Sequence, residues 1–171
     1  MCEQEYDGLR ATIRERGTAR VWIFAVGVSA WAAILVATVA LALPPICSLI
    51  TLLLLAALFE SVFSLHVAVE RIGRYLFVFH DDGWERAAAA FAAAKNVKGF
   101  VAVDPLFTVP FALAALVNLM PLLVSRPTMP EVVVVGAAHA TFALRLLKAR
   151  TGARQQRAVD AERFREIKQG S

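Results

Sequence analysis

Cysteine and histidine are scarce in this chain, and so is charge. The two cysteines are Cys2 and Cys47, with no Cys-x-x-Cys spacing. That excludes a disulfide framework and gives zinc or redox chemistry no support. Only 19% of the residues are charged, against about 25% in an ordinary soluble domain. No glycine-rich phosphate loop, no zinc-binding signature and no recognisable Ser/His/Asp arrangement is present. No catalytic residue, cofactor or metal is therefore expected.

What the sequence has in abundance is apolar side chains. They make up 58% of the chain, and the mean hydropathy is +0.61. They fall in long blocks rather than in amphipathic stripes: 21–43, 46–69, 99–124 and 132–144. A bilayer crossing needs about 20 predominantly apolar residues. The first three blocks meet that length, and the fourth approaches it by running on to Leu147. The first block is longer than the roughly 7–15 apolar residues of a signal peptide, so it reads as a span. The expected fold class is all-α: a polytopic membrane protein with four transmembrane helices arranged as two hairpins. The spans fall at about 21–43, 46–69 (with a helical extension to about 79), 105–124 and 131–148. Residues 1–20 precede them and residues 149–171 form a basic helical tail.

Cytoplasmic loops are enriched in Lys and Arg. With the N-terminus inside, Arg10, Arg14, Arg16 and Arg20 lie inside, as do Arg71, Arg74, Arg86, Lys95 and Lys98. The eight basic residues from Arg145 onward join them, leaving Arg126 alone outside. An odd number of spans puts one of these clusters on the wrong side. The expected location is the inner cell membrane, multi-pass, with both termini cytoplasmic.

The outer connections are short and proline-bearing: Leu43-Pro44-Pro45, and Ser125 to Pro130. Proline suits the first helical turn, where its missing N–H costs nothing, so the second and fourth spans are expected to start near Pro45 and Pro130. Asp82 to Glu85 has the spacing of a helix cap, and Ala87–Ala94 favours a short cytoplasmic-side helix, with Trp84 and Phe91 at headgroup depth. Asp104-Pro105 resembles a cap and first helical residue, and Pro110 and Pro121 are expected to kink the third span. Gly152 reads as a break before a tail helix over 153–168. Ala25, Ser29, Ala33 and Ala37 form a small-residue stripe, and Gly136 and Ala140 a shorter one, both suited to close helix contact.

Ionisable groups inside a span are costly and mark sites by default. Glu60 and Arg145 each lie 15 residues past their expected helix starts, in helices running the same way, so an ion pair between them is expected. His139 lies near the midplane, where a neutral ring bonded to a backbone carbonyl or to Glu60 competes with a proton-relay role. The second helix continues into a polar end. There His66, Glu70 and Arg74 are four apart, and Arg71 and Tyr75 complete the inner-interface candidates. A shared haem between His66 and His139 is excluded by a depth mismatch of about 18 Å, at 1.5 Å per residue.

The partners expected are the bilayer itself, anionic lipid at the basic tail, and a second copy or another membrane protein. Nucleic acid is not expected. The leading functional expectation is a non-catalytic accessory, assembly or scaffold subunit. A proton-linked transporter using Glu60, His139 and Arg145 is the second. A membrane enzyme acting on lipid or quinone beside His66 and Glu70 is the third.

Overall fold

A computed structural model describes residues 3–80, 83–84, 86–87, 90 and 105–170. Every regular element among them is helical. Helix α1 spans Glu3–Ala40, a 3-10 turn spans Pro45–Cys47, and α2 spans Ser48–Phe79. Helices α3 (Pro105–Val117) and α4 (Met120–Val124) follow, and α5 runs from Met129 to Gly170. Three of them, α1, α2 (with its 3-10 lead-in) and α5, are long and apolar enough to cross a membrane; the segment Thr108–Val124 is apolar but shorter. The cap at Asp82 and Glu85, most of the expected 87–94 helix, Phe91 and Asp104 lie outside the described residues.

The helix ends follow from local chemistry. Helix α1 ends where Leu43 N–H reaches back to the Thr38 carbonyl at 3.0 Å, with Ala42 at a positive φ of 48°. This is a six-to-one closing bond of the kind that usually places glycine in the left-handed position. Pro44 and Pro45 then prevent the helix from continuing. At the start of α5, Thr128 N–H donates to Glu131 Oε2 at 2.8 Å and its hydroxyl donates to the same oxygen at 2.9 Å. The Thr-x-x-Glu spacing is half of a reciprocal capping box.

Two expectations are corrected in detail. The third apolar segment is broken rather than kinked: α3 stops at Val117, and Pro121 falls in the first turn of the separate helix α4. Proline is tolerated in a first turn and not in a helix interior, so the break at Asn118–Leu119 accommodates it. Conversely, Gly152 does not break α5, which is continuous to Gly170. A single helical glycine costs about 1 kcal/mol relative to alanine, and the ties of Arg157 and Asp160 described below offset it.

The helices group into two compact units. One gathers Val21–Phe63 and Asp104–Arg150. Its core holds Trp31 and Leu35 from α1, Leu55, Phe59 and Val62 from α2, Phe111 from α3, and Phe142 and Leu146 from α5. Phe59 is the centre of an aromatic cluster, edge-on to Phe111 at 5.2 Å and to Phe142 at 6.1 Å between ring centroids. The close approach of α1 to α2 occurs at Gly27, where a Cβ would lie 2.4 Å from Leu58 Cδ1. The stripe Ala25, Ser29, Ala33, Ala37 is exposed in the single chain; the face of α1 packed within the chain carries Phe24, Val28, Trp31 and Leu35. Gly136 likewise has open space beside it. The other unit gathers Met1–Arg20, Ser64–Val103 and Thr151–Ser171, held by the polar contacts described next.

Candidate functional site

The polar centre of the Val21–Phe63/Asp104–Arg150 unit is Asn118, in the turn between α3 and α4 and fully buried. Its Oδ1 accepts from Trp31 Nε1 at 3.2 Å. Its Nδ2 donates to the Ser48 carbonyl at 3.0 Å and lies 3.2 Å from His139 Nε2. The other ring nitrogen of His139, Nδ1, is 2.8 Å from the Val135 carbonyl. A carbonyl only accepts, so Nδ1 carries the proton and Nε2 accepts from Asn118. Asn118 therefore uses both amide hydrogens and its oxygen, and both ring nitrogens of His139 are engaged. The network ties α1, the start of α2, the α3–α4 turn and α5 together. His139 is thus bonded to a backbone carbonyl, and its second partner is Asn118 rather than Glu60.

The expected Glu60–Arg145 pair is present between α2 and α5. Arg145 Nε and Nη2 reach the two carboxylate oxygens of Glu60, each at 2.7 Å. This is the bidentate geometry that guanidinium and carboxylate favour. The guanidinium carbon also lies 5.8 Å from the Phe59 ring centroid and 5.5 Å from that of Phe63, within cation–π range. The pair does not face the core: side-chain exposure is 47% for Glu60 and 41% for Arg145.

A groove of about 400 Å³ runs between α3 and α5. Ala112, Ala115, Leu119, Ala140 and Leu147 supply apolar walls, with Thr108 and His139 among its lining. The groove exists because alanines stand where longer side chains would fill it. Glu60 and Arg145 are not part of it.

In the other unit, the inner-interface candidates form a charge network. His66 Nε2 is 3.4 Å from Glu70 Oε1, and Arg20 Nη1 is 3.0 Å from His66 Nδ1. An arginine only donates, so Nδ1 accepts and Nε2 carries the proton toward Glu70. Glu70 also receives Arg74 at 3.5 Å and both nitrogens of an Arg157 fork. Asp160 on α5 accepts from Arg74 Nη2 at 2.9 Å, Arg71 Nε at 3.3 Å and Gln156 at 2.7 Å. Tyr75 donates its hydroxyl to Glu5 on α1 at 2.9 Å, and Lys168 donates to the Val78 carbonyl. Burial by itself raises the Asp160 carboxyl, but the hydrogen bonds from Gln156, Arg74 and Arg71 and the charge of Arg71 hold it below the usual carboxylate range.

Sequence reasoning missed the partners rather than the groups it named. Asp160 and Arg157 were hidden in a tail read as basic and membrane-facing. Asn118 was hidden in an apolar segment, although an amide between two proline-bearing apolar turns is a signal in its own right, because in hydrocarbon it must find partners. No group of three or more His, Cys, Asp or Glu suited to a metal occurs among the described residues. Comparison with protein-family models, curated proteins and solved structures found no match.

Proposed function

We propose that the chain is a four-span inner-membrane protein with both termini cytoplasmic, acting as a non-catalytic accessory, assembly or scaffold subunit. Its spans pair as two hairpins, the fourth crossing being supplied by the broken α3–α4 segment. The charge distribution supports the orientation, since only Arg126 falls on the outer side. The observation that carries the scaffold reading is the saturation of the Asn118–His139 network: a histidine donating to one carbonyl and accepting from a fully used amide has no free valence for proton relay. Glu60 is likewise clasped at both oxygens by Arg145. The charged ends of α1, α2 and α5 spend their groups on one another, as a structural joint does. The basic residues of the tail outside that joint suit contact with an anionic inner leaflet.

Topology reporters fused separately to each end test the orientation: both are expected to report cytoplasm, and a split result overturns it. Purified chain in sealed vesicles tests the role. Proton leak equal to that of empty vesicles is expected, for the native chain and for Glu60→Gln. A flux that depends on Glu60 overturns the scaffold reading in favour of a proton-linked transporter.

A further inference from the structure

The Glu60–Arg145 pair lies on the outside of its helices although Glu60 sits within the apolar run of α2. Eleven residues from Leu49 to Phe59 precede it, and Val62 and Phe63 follow. The inference drawn here rests on the membrane-span reading. In that setting the outside of the bundle is hydrocarbon. A charge there costs about 2.5–3.5 kcal/mol on insertion scales, and pairing relieves that cost without removing it while half of each side chain still faces lipid.

The surroundings of the pair differ from an ordinary lipid face. Leu53 on α2 is 72% exposed, but in the next turns of that outward stripe the exposed residues are Ala57, Glu60 and Ser61. On α5 the exposed neighbour one turn before Arg145 is Thr141. The hydroxyls of Ser61 and Thr141 are each turned back onto a carbonyl of their own helix, at 2.9 Å. The surface is therefore low on the α2 side of the ion pair and at Thr141, while Leu144 and Lys148 stand exposed beside Arg145 on α5; the low part allows a second helix to approach closely.

We propose that this face of α2 and α5 is a two-fold contact with a second copy of the chain. The charge pattern selects that occupant. The pair is neutral, and its dipole points from Glu60 on α2 to Arg145 on α5, across the helices. A two-fold axis along the membrane normal keeps both copies in the same orientation and reverses that in-plane dipole. The carboxylate of one copy then lies toward the guanidinium of the other, and the four charges alternate. Such a face is self-complementary, which a closed two-fold interface requires, and attraction between the pairs is strong where the surroundings are apolar. The exposed stripe of Ala25, Ser29, Ala33 and Ala37 on α1 is the competing face; it carries no charge that needs cover.

Oxidative cross-linking in native membranes tests the contact, using full-length chain with Cys2 and Cys47 replaced by serine. Ser61→Cys is expected to yield a band at twice the 18.6 kDa monomer mass, several-fold stronger than that from Ser29→Cys. Adding Glu60→Gln is expected to reduce the band several-fold, because Arg145 is left unpaired on both copies. The exchange Glu60→Arg with Arg145→Glu keeps the alternation and is expected to restore it, which separates loss of contact from loss of folding. A band from Ser29→Cys equal to or above that from Ser61→Cys overturns the proposal, as does a Ser61→Cys adduct with a different protein. Alkaline carbonate extraction separates the two levels of failure. A chain that stays in the membrane and gives no Ser61→Cys dimer sinks the two-fold contact alone. A chain that is extracted sinks the span reading and the contact with it.

Discussion

Asn118 donates to the Nε2 of His139 across 3.2 Å of buried interior, a direction set by the Val135 carbonyl, which takes the proton on Nδ1. The carboxamide sits in the two-residue interruption between α3 and α4, where the chain has stopped being a helix because Pro121 must fall in a first turn. The interruption places the amide where three other elements present a donor or acceptor to it.

Removing the amide is the most direct test of that joint. Asn118→Ala strands the Trp31 indole N–H and His139 Nε2, and leaves the Ser48 carbonyl with its bond from the Thr51 hydroxyl. Hydrogen bonds inside membrane bundles average about 0.6 kcal/mol each, and stranding buried groups adds to that, so a loss of about 2–4 kcal/mol is expected. Unfolding of the detergent-solubilised protein measures it. Trp31→Phe is expected to cost less, and the Asn118→Ala penalty should shrink in the Trp31→Phe background because the two residues share a bond. Strictly additive effects count against the network.

The end of α1 offers a stabilising change. Ala42 holds a φ of 48°, which costs a residue with a Cβ about 1–2 kcal/mol relative to the right-handed region. Glycine adopts that conformation freely but gives up more chain entropy on folding, a penalty of about 0.5–1 kcal/mol. Ala42→Gly is therefore expected to gain up to about 1 kcal/mol, read as a small rise in Tm. A marked fall in Tm would show that the turn is not the one described.

Asp160 makes the joint between α2 and the tail of α5 sensitive to acid. Its carboxyl is held below the usual range. The stability it contributes is therefore fully present above the unfolded value near pH 4 and is lost as pH falls through the lower folded value. Asp160→Asn is expected to cost about 1–2 kcal/mol near neutral pH, since Arg71 loses its carboxylate and Arg74 keeps only that of Glu70. The gap between native and variant stabilities should then narrow on acidification to about pH 2. A gap that does not change with pH rules out the carboxylate as its source.

Much of this arrangement was legible before any coordinates. The four apolar blocks and the clustering of the basic residues between them required no tertiary information. The Glu60–Arg145 pair followed from counting residues past Pro45 and Pro130, because rise per residue along a helix is constant. Counting along the axis says nothing about rotation around it. The stripe of Ala25 to Ala37 was thus legible as a stripe but not as an exposed one, and Gly27, which meets Leu58, was passed over. In the tail, the net positive charge was legible, but the groups that tie it to α2, Arg157, Asp160 and Lys168, were not.

The sequence by itself determined the all-helical class, the apolar segments and the proline-bearing turns near Pro45 and Pro130, because hydropathy, proline geometry and capping act within a few residues of chain. Only the tertiary structure decided which polar groups meet beyond Glu60 and Arg145, and which side of each helix faces inward. Trp31 reaches Asn118 across 87 positions of sequence. Such a contact is set by how several helices rotate and translate together until their buried donors and acceptors are all satisfied, a condition that no local window of residues contains.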